Sequence, residues 1–281
     1  MGSRMISTPI QETQIPTVAQ WSIYAMGVVE GNRIRRAKDP VASWLLRRFP
    51  ELESQYGVPS VLSMIRERAA IVDRMLVEEF HRAERMGTLV DYIRMGGGFD
   101  GRFYRLFPHH LDRLHRMTEL EEPELLAVKN AMLRHSNFVH EWSRVEQVAL
   151  PVHDWTMKPS TGLPVVNLEG AATRIGLRLL VRVLGAIRRD CPQARVILDL
   201  PNFLNRTGSG TLPPPTGPTR LRWENLDRTG AGRIEVGHLR ELGWSVDEDL
   251  WLVSRPELRA ANGVTICPGV EGLRVLRLVA C

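Results

Sequence analysis

The chain reads as an α/β protein: a mostly parallel, doubly wound sheet behind an N-terminal helical layer. Three observations carry that reading. Apolar residues fall at threes and fours as far as about residue 87; from Leu89 short apolar runs alternate with helical stretches; and the first of those runs breaks into a glycine-rich turn. A spacing of three and four marks helices with one buried face, and strands that alternate with helices form a parallel sheet whose ligands lie at the strand carboxyl ends.

The elements follow in order. Ile65, Ala69, Val72, Leu76 and Phe80 share a helical stripe, with Arg66, Glu67, Arg74 and Glu78 between them. Strands are expected over 89 to 94, 113 to 118, 144 to 150, 164 to 168 and 195 to 200, with helices near 122 to 134 and 174 to 189. Pro123 and Glu124 suit a helix start, where proline loses no needed hydrogen bond and an acid meets the positive end of the dipole. The stretch from Asn205 to Pro218 is punctuated by Gly208, Gly210, Pro213, Pro214, Pro215 and Gly217, so it is a loop. It either covers a substrate or merely connects surface elements. Beyond it, residues 234 to 251 read as a helix and a strand, and 273 to 279 as a closing strand. The expected division is therefore a tag remnant and tail over 1 to 16, a helical layer or lid over 17 to 88, and the α/β core over 89 to 281.

Composition narrows the class. With 43% hydrophobic and 25% charged residues, the chain has the make-up of a soluble globular protein, and no apolar run approaches the ~20 residues of a membrane span. No secretory pattern opens the chain, so a cytoplasmic location is expected. Cys191, Cys267 and Cys281 are odd in number and far apart, which indicates neither a disulfide framework nor a metal site. The formal charge of +5 is spread over dispersed arginines with no dense basic block, which argues for a solvated surface and against a nucleic-acid module. Attraction of an anionic substrate is the alternative.

The run Val90-Asp91-Tyr92-Ile93-Arg94-Met95-Gly96-Gly97-Gly98-Phe99-Asp100-Gly101 carries the functional signal. A strand that breaks into glycines lets the backbone approach a ligand, and an acid about 20 positions on, here Glu119, can accept hydrogen bonds from ribose hydroxyls. Gly96, Gly98 and Gly101 satisfy G-x-G-x-x-G, a pattern that several nucleotide cofactors share.

The wider context is more specific. Gly96 to Leu106 resembles L-G-A-G-L-D-T-R-x-Y-R-L, and Glu119 to Lys129 resembles E-V-D-x-P-E-V-L-x-x-K, both typical of the leucine carboxyl methyltransferase-like family of S-adenosylmethionine (SAM) dependent enzymes. Asp39-Pro40-Val41-Ala42 resembles that family's D-P-x-A, and Leu168-Glu169-Gly170 its later E-G. The resemblance implies a Rossmann-like class I methyltransferase fold with SAM as cofactor. It places Gly96 and Gly98 against the methionine part of SAM, Glu119 on the ribose hydroxyls and Arg68, within R-x-x-x-x-D, on the SAM carboxylate. Asp100 either touches the ligand or caps the next helix. Glu169 stands near the transferred methyl, where it orients the substrate or caps a helix.

Transfer from a sulfonium is an in-line displacement, so alignment and exclusion of water suffice. The resemblance points to O-methylation of a carboxylate or hydroxyl on a small molecule or peptide, in natural-product tailoring. A hydroxyl acceptor would need a base, and His109, His110, His115 and His153 are the histidines expected near the strand ends. Three departures stand against the family pattern. Pro151 replaces an aspartate expected on the adenine, leaving His153 or Asp154 to supply that contact. The segment after Gly170 lacks the usual bulky residues and tyrosine. Arg94 puts a charge in a central strand, which is costly unless paired or near the strand end. A non-methylating protein on this fold and a nicotinamide-dependent oxidoreductase are the rival readings. Neither the acceptor nor the oligomeric state can be read from the sequence.

Overall fold

A computed structural model describes residues 39–48, 59–133, 136, 138, 145–149, 154, 160–170, 177–203, 236–253 and 270–281. The expected tail over 1 to 16, Pro151, His153 and the 205 to 218 loop lie outside them. Two helices, α1 (Pro40–Arg48) and α2 (Pro59–Arg85), precede strand β1 (Val90–Met95). There follow α3 (Arg102–Leu106), β2 (Leu114–Glu121), α4 (Pro123–Leu133), β3 (Val145–Ala149) and β4 (Leu163–Leu168). The order ends with α5 (Leu177–Asp190), β5 (Arg195–Phe203), α6 (Val236–Glu241), β6 (Trp244–Val253) and β7 (Val270–Ala280).

The seven strands form one sheet in the order β3-β2-β1-β4-β5-β7-β6. The pairs among β3, β2, β1, β4 and β5 are parallel, and β7 runs antiparallel to both β5 and β6. Strand order reverses between β1 and β4, where the connections leave for opposite sides and open a crevice at the strand carboxyl ends. That crevice is where the glycine turn lies.

Both faces of the sheet centre are covered, and the central strand β4, LPVVNL, is buried along its whole length. Tyr92, Met117, Val165 and Ile197 pack on one side with Val72, Met75, Leu76 and Phe80 of α2. Their alternating neighbours Ile93, Leu120, Val166 and Val196 pack on the other with Leu180, Val183, Leu184 and Ile187 of α5. The expected strands and helices are all present where described. Three strands run three residues past the expected bounds: β5 to Phe203, β7 from Val270, and β2, which continues through Glu121 because Glu119, Leu120 and Glu121 keep pairing with Gln147, Val148 and Ala149 of β3.

Candidate functional site

The α2 face of the sheet changes character toward the carboxyl ends of the strands. Above the apolar layer, Arg94 of β1 stands in register with Glu119 of β2 and Asn167 of β4, and Asp199 of β5 lies two positions beyond Ile197, the partner of Asn167. Period-two alternation puts these residues on the same face as the Tyr92 layer. Arg68 and Asp73 of α2 and Arg102 and Arg105 of α3 meet them from above.

Four of the six residues expected around a cofactor, Arg68, Glu169, Asp100 and Glu119, come together in one chain of contacts beside the glycine turn that holds the other two. Arg68 donates to Glu169 (2.9 Å) and to Asp199 (3.0 Å). The other oxygen of Glu169 accepts from Arg102 at 2.6 Å, and Arg102 lies 3.0 Å from Asp100. Arg94 donates to the Asp100 carbonyl at 2.9 Å and stands 3.7 Å from Glu119. Gly96 and Gly98 have positive φ values of 65° and 55°, a backbone region glycine enters without the Cβ clash that other residues meet. Asp100 accepts from the Arg102 backbone N–H at 2.9 Å, so its described role is at the start of α3.

Glu119 differs in position from the expectation. It lies two residues before the end of β2 and is 1% exposed, with Oε1 accepting from Lys129 of α4 at 2.6 Å. Among the described residues, its Oε2 has no hydrogen-bond partner. The last residue of the strand is Glu121, whose carboxylate accepts from the Gly98 N–H (2.7 Å) and so ties the turn to β2. The histidines also differ. His115 sits near the start of β2, 2.7 Å from Asp91, and His109 and His110 precede that strand, so all three lie at the end of the sheet away from the glycine turn. Strand direction decides this: a residue that opens a parallel strand cannot reach the crevice at its carboxyl end.

Several members of the network were not singled out from sequence. Asp39 caps α1 through the Ala42 N–H (2.9 Å), accepts from Gly101 N–H (2.6 Å) and pairs with Arg105 (2.8 Å). Asp73 takes both Arg102 (2.5 Å) and Arg105 (2.7 Å). Arg102, Arg105 and Lys129 all stand within the two motifs quoted above. The signal was present, but nothing local says that these cations point inward.

Burial and pairing set the charges. Burial pushes the Asp39 carboxyl up to about 6 against the pull of Arg105. Burial also pushes Asp199 up, with Arg68 opposing. For Glu169 the upward push of burial is outweighed by Arg102 and Arg68, which hold it below its ordinary value; Asp100 is held well below by Arg102, Arg105 and Arg94. Burial pushes the Lys129 ammonium down, and Glu119 opposes it.

No protein-family model matches the chain, and no curated protein does. Among solved structures, it aligns with a putative methyltransferase from Thermobifida fusca YX over 96% of each chain, at 12% identity and a TM-score of 0.52. The fold is the Rossmann-like methyltransferase fold. The chain also aligns with the N-methyltransferase NodS from Bradyrhizobium japonicum WM9, over 74% of this chain and 96% of that one, at 10% identity and a TM-score of 0.40. A third alignment, to the glycopeptide N-methyltransferase MtfA, covers 73% and 90% at 17% identity and a TM-score of 0.39. The first of these likenesses, at 12% identity, extends to the fold alone. Among the described residues no group of His, Cys, Asp and Glu could hold a metal ion, and no helix is long and apolar enough to cross a membrane.

Proposed function

We propose that the chain is a SAM-dependent methyltransferase whose cofactor lies in the crevice between the carboxyl ends of β1 and β4. One observation carries the reading: the glycine turn stands at the point where strand order reverses, the ligand position of open α/β sheets. Two further features fit such a ligand. Among the described residues, nothing lies within 4 Å of where a Cβ would stand at Gly98 or at Gly170 (φ 73°), which flank the crevice. Glu119 Oε2 is a buried acceptor without a donor, a costly arrangement that a ligand hydroxyl would relieve.

Bound SAM supplies a methyl group already activated by its sulfonium. The chain's own residues hold and align: Gly96 and Gly98 present backbone to the methionine part, Glu119 offers Oε2 to a ribose hydroxyl, and Arg68 presents a guanidinium to the carboxylate. Because Lys129 takes Oε1, Glu119 has one oxygen for the ribose where a bidentate contact was expected. Glu169 orients what stands near the methyl. The finer reading rests on the sequence resemblance: membership of the leucine carboxyl methyltransferase-like family, O-methylation of a carboxylate or hydroxyl on a small molecule or peptide, and natural-product tailoring; a cytoplasmic location is proposed beside it.

The rival, a protein of this fold that does not methylate, is favoured by one observation. Arg68 is already satisfied by Glu169 and Asp199, so a ligand carboxylate must displace one of them. Calorimetric titration with SAM and S-adenosylhomocysteine, together with mass spectrometry of the purified protein, decides between the two. Saturable binding at one site per chain is expected, with Gly98→Val abolishing it; absence of binding to either ligand defeats the methyltransferase reading, and binding of NAD instead supports the oxidoreductase.

A further inference from the structure

The two inner glycines of the turn face different surroundings. Gly98 faces open space, whereas a Cβ at Gly97 would overlap the guanidinium of Arg94. Gly97 is absent from the positive-φ glycines, so its backbone suits other residues, and what excludes a side chain there is Arg94. One side of the turn is thus filled from within and the other is left free.

Arg94 is 2% exposed and sits one residue before the end of β1. It donates to the carbonyls of Gly97 and Asp100, spanning the turn from its second glycine to its last acid. The same guanidinium lies 4.0 Å from the Asp100 carboxylate and 3.7 Å from Glu119. A planar fork of donors can hold two carbonyls and face two carboxylates at once, which a lysine ammonium on a flexible stem cannot do in the same geometry. Arg94 therefore joins the backbone expected to carry the methionine part to the carboxylate expected to carry the ribose.

We propose that Arg94 is a positioning residue that braces the glycine turn from beneath and sets its distance from Glu119, so that cofactor affinity depends on a side chain that need not touch the cofactor. The inference rests on the reading of the crevice as a SAM site. It also accounts for the charge in the central strand: Arg94 is tolerated because the turn's carbonyls and two acids surround it.

A double-mutant cycle tests this with SAM as titrant and circular dichroism confirming the fold. Gly97→Ala alone should weaken SAM roughly tenfold or more, the scale of a coupling of about 1.4 kcal/mol between residues in contact, because the added methyl drives Arg94 from its seat. Arg94→Ala should weaken it at least as much, and the double variant should be no worse than Arg94→Ala alone, since the methyl then enters vacated space. Arg94→Lys, which keeps the charge without the fork, should recover only part of the loss, and it together with Gly97→Ala carries the test if Arg94→Ala does not fold. Additive losses, full affinity in Gly97→Ala, or tighter binding in Arg94→Ala would each overturn the inference while wild-type binding upholds the SAM site. Failure of the wild type to bind SAM removes the site and the inference together.

Discussion

Helix α2 carries two ionic networks, one through Arg68 and Asp73 at the crevice and one through Arg74, Glu78 and Glu79 at the other end of β5, and they are built differently. The network at the crevice joins Arg68, Asp73, Arg94, Arg102, Arg105 and Lys129 to Asp39 just before α1, Asp100 of the turn, Glu119 of β2, Glu169 just after β4 and Asp199 of β5, and its arginines and lysine are at most 18% exposed. The network at the other end joins Arg74, Glu78, Glu79, Arg195, Arg277, Asp247 and Glu248 along β5, β6 and β7, and Arg74 and Glu78 are 44% and 41% exposed. Exposed pairs are screened by water and salt and contribute little, while a buried pair that loses one member leaves the other charge without solvent. The peripheral network pins an edge of the sheet. The crevice network holds the site in one arrangement at the cost of desolvating every member.

The largest test of that difference is Glu119→Ala. Loss of this carboxylate removes the acid that faces buried Lys129 and Arg94, and a destabilisation of about 3 to 5 kcal/mol is expected in urea unfolding. An exposed strand-end acid would have allowed the substitution to weaken a ligand while sparing the fold. The burial of Glu119 predicts loss of both, and a wild-type unfolding midpoint in Glu119→Ala would show that the network is looser than its geometry. Glu119→Gln keeps the shape and should cost less.

The second test uses pH. Asp39 is raised to about 6 from an ordinary 3.8, so between these values the folded protein holds a proton that the unfolded chain has released. Its contribution to stability is thus fully present below 3.8 and is lost as pH rises through about 6, on the order of 3 kcal/mol at 1.36 kcal/mol per pKa unit. Asp199 is also raised and slopes the same way, while Asp100 and Glu169 are lowered and lose their contribution only under stronger acid. Chemical denaturation at pH 5 and pH 7 should show wild type more stable at pH 5 than carboxylate pairing alone would give, with Asp39→Asn flattening the difference. An unchanged slope in that variant would mean Asp39 titrates normally.

The smallest effect is expected at the periphery. Arg74→Ala breaks contacts to Glu78 and Glu248 at the surface and should cost 1 kcal/mol or less, on the scale of about 0.2 to 1 kcal/mol measured for exposed pairs. That cost should shrink further in 1 M salt, where screening acts within about 3 Å. The loss from Glu119→Ala should hardly change with salt, and equal salt sensitivity at the two ends would erase the contrast between them.

Local pattern was enough for most of the architecture. The stripe of Val72, Leu76 and Phe80, the alternation of apolar runs with helices and the glycines after β1 are each decided by residues close in sequence, through backbone sterics and the burial of one face. Gly96, Gly98 and Glu119 were legible from the glycine turn and its downstream acid, whereas Arg68, Asp100 and Glu169 came only from the family resemblance; the fold brings them near one another. What only the tertiary structure decided is which of these groups are already satisfied by one another. Glu119 ends up between Lys129 and Arg94, Arg68 between Glu169 and Asp199, and Arg94 occupies the space that a side chain at Gly97 would need. Arg68 and Asp199 are 131 residues apart, and their 3.0 Å contact exists because a helix crosses the strand ends of a sheet. Spacing along a chain records propensity and periodicity, whereas the partner of a buried charge is set by register and crossing geometry, which no local window contains.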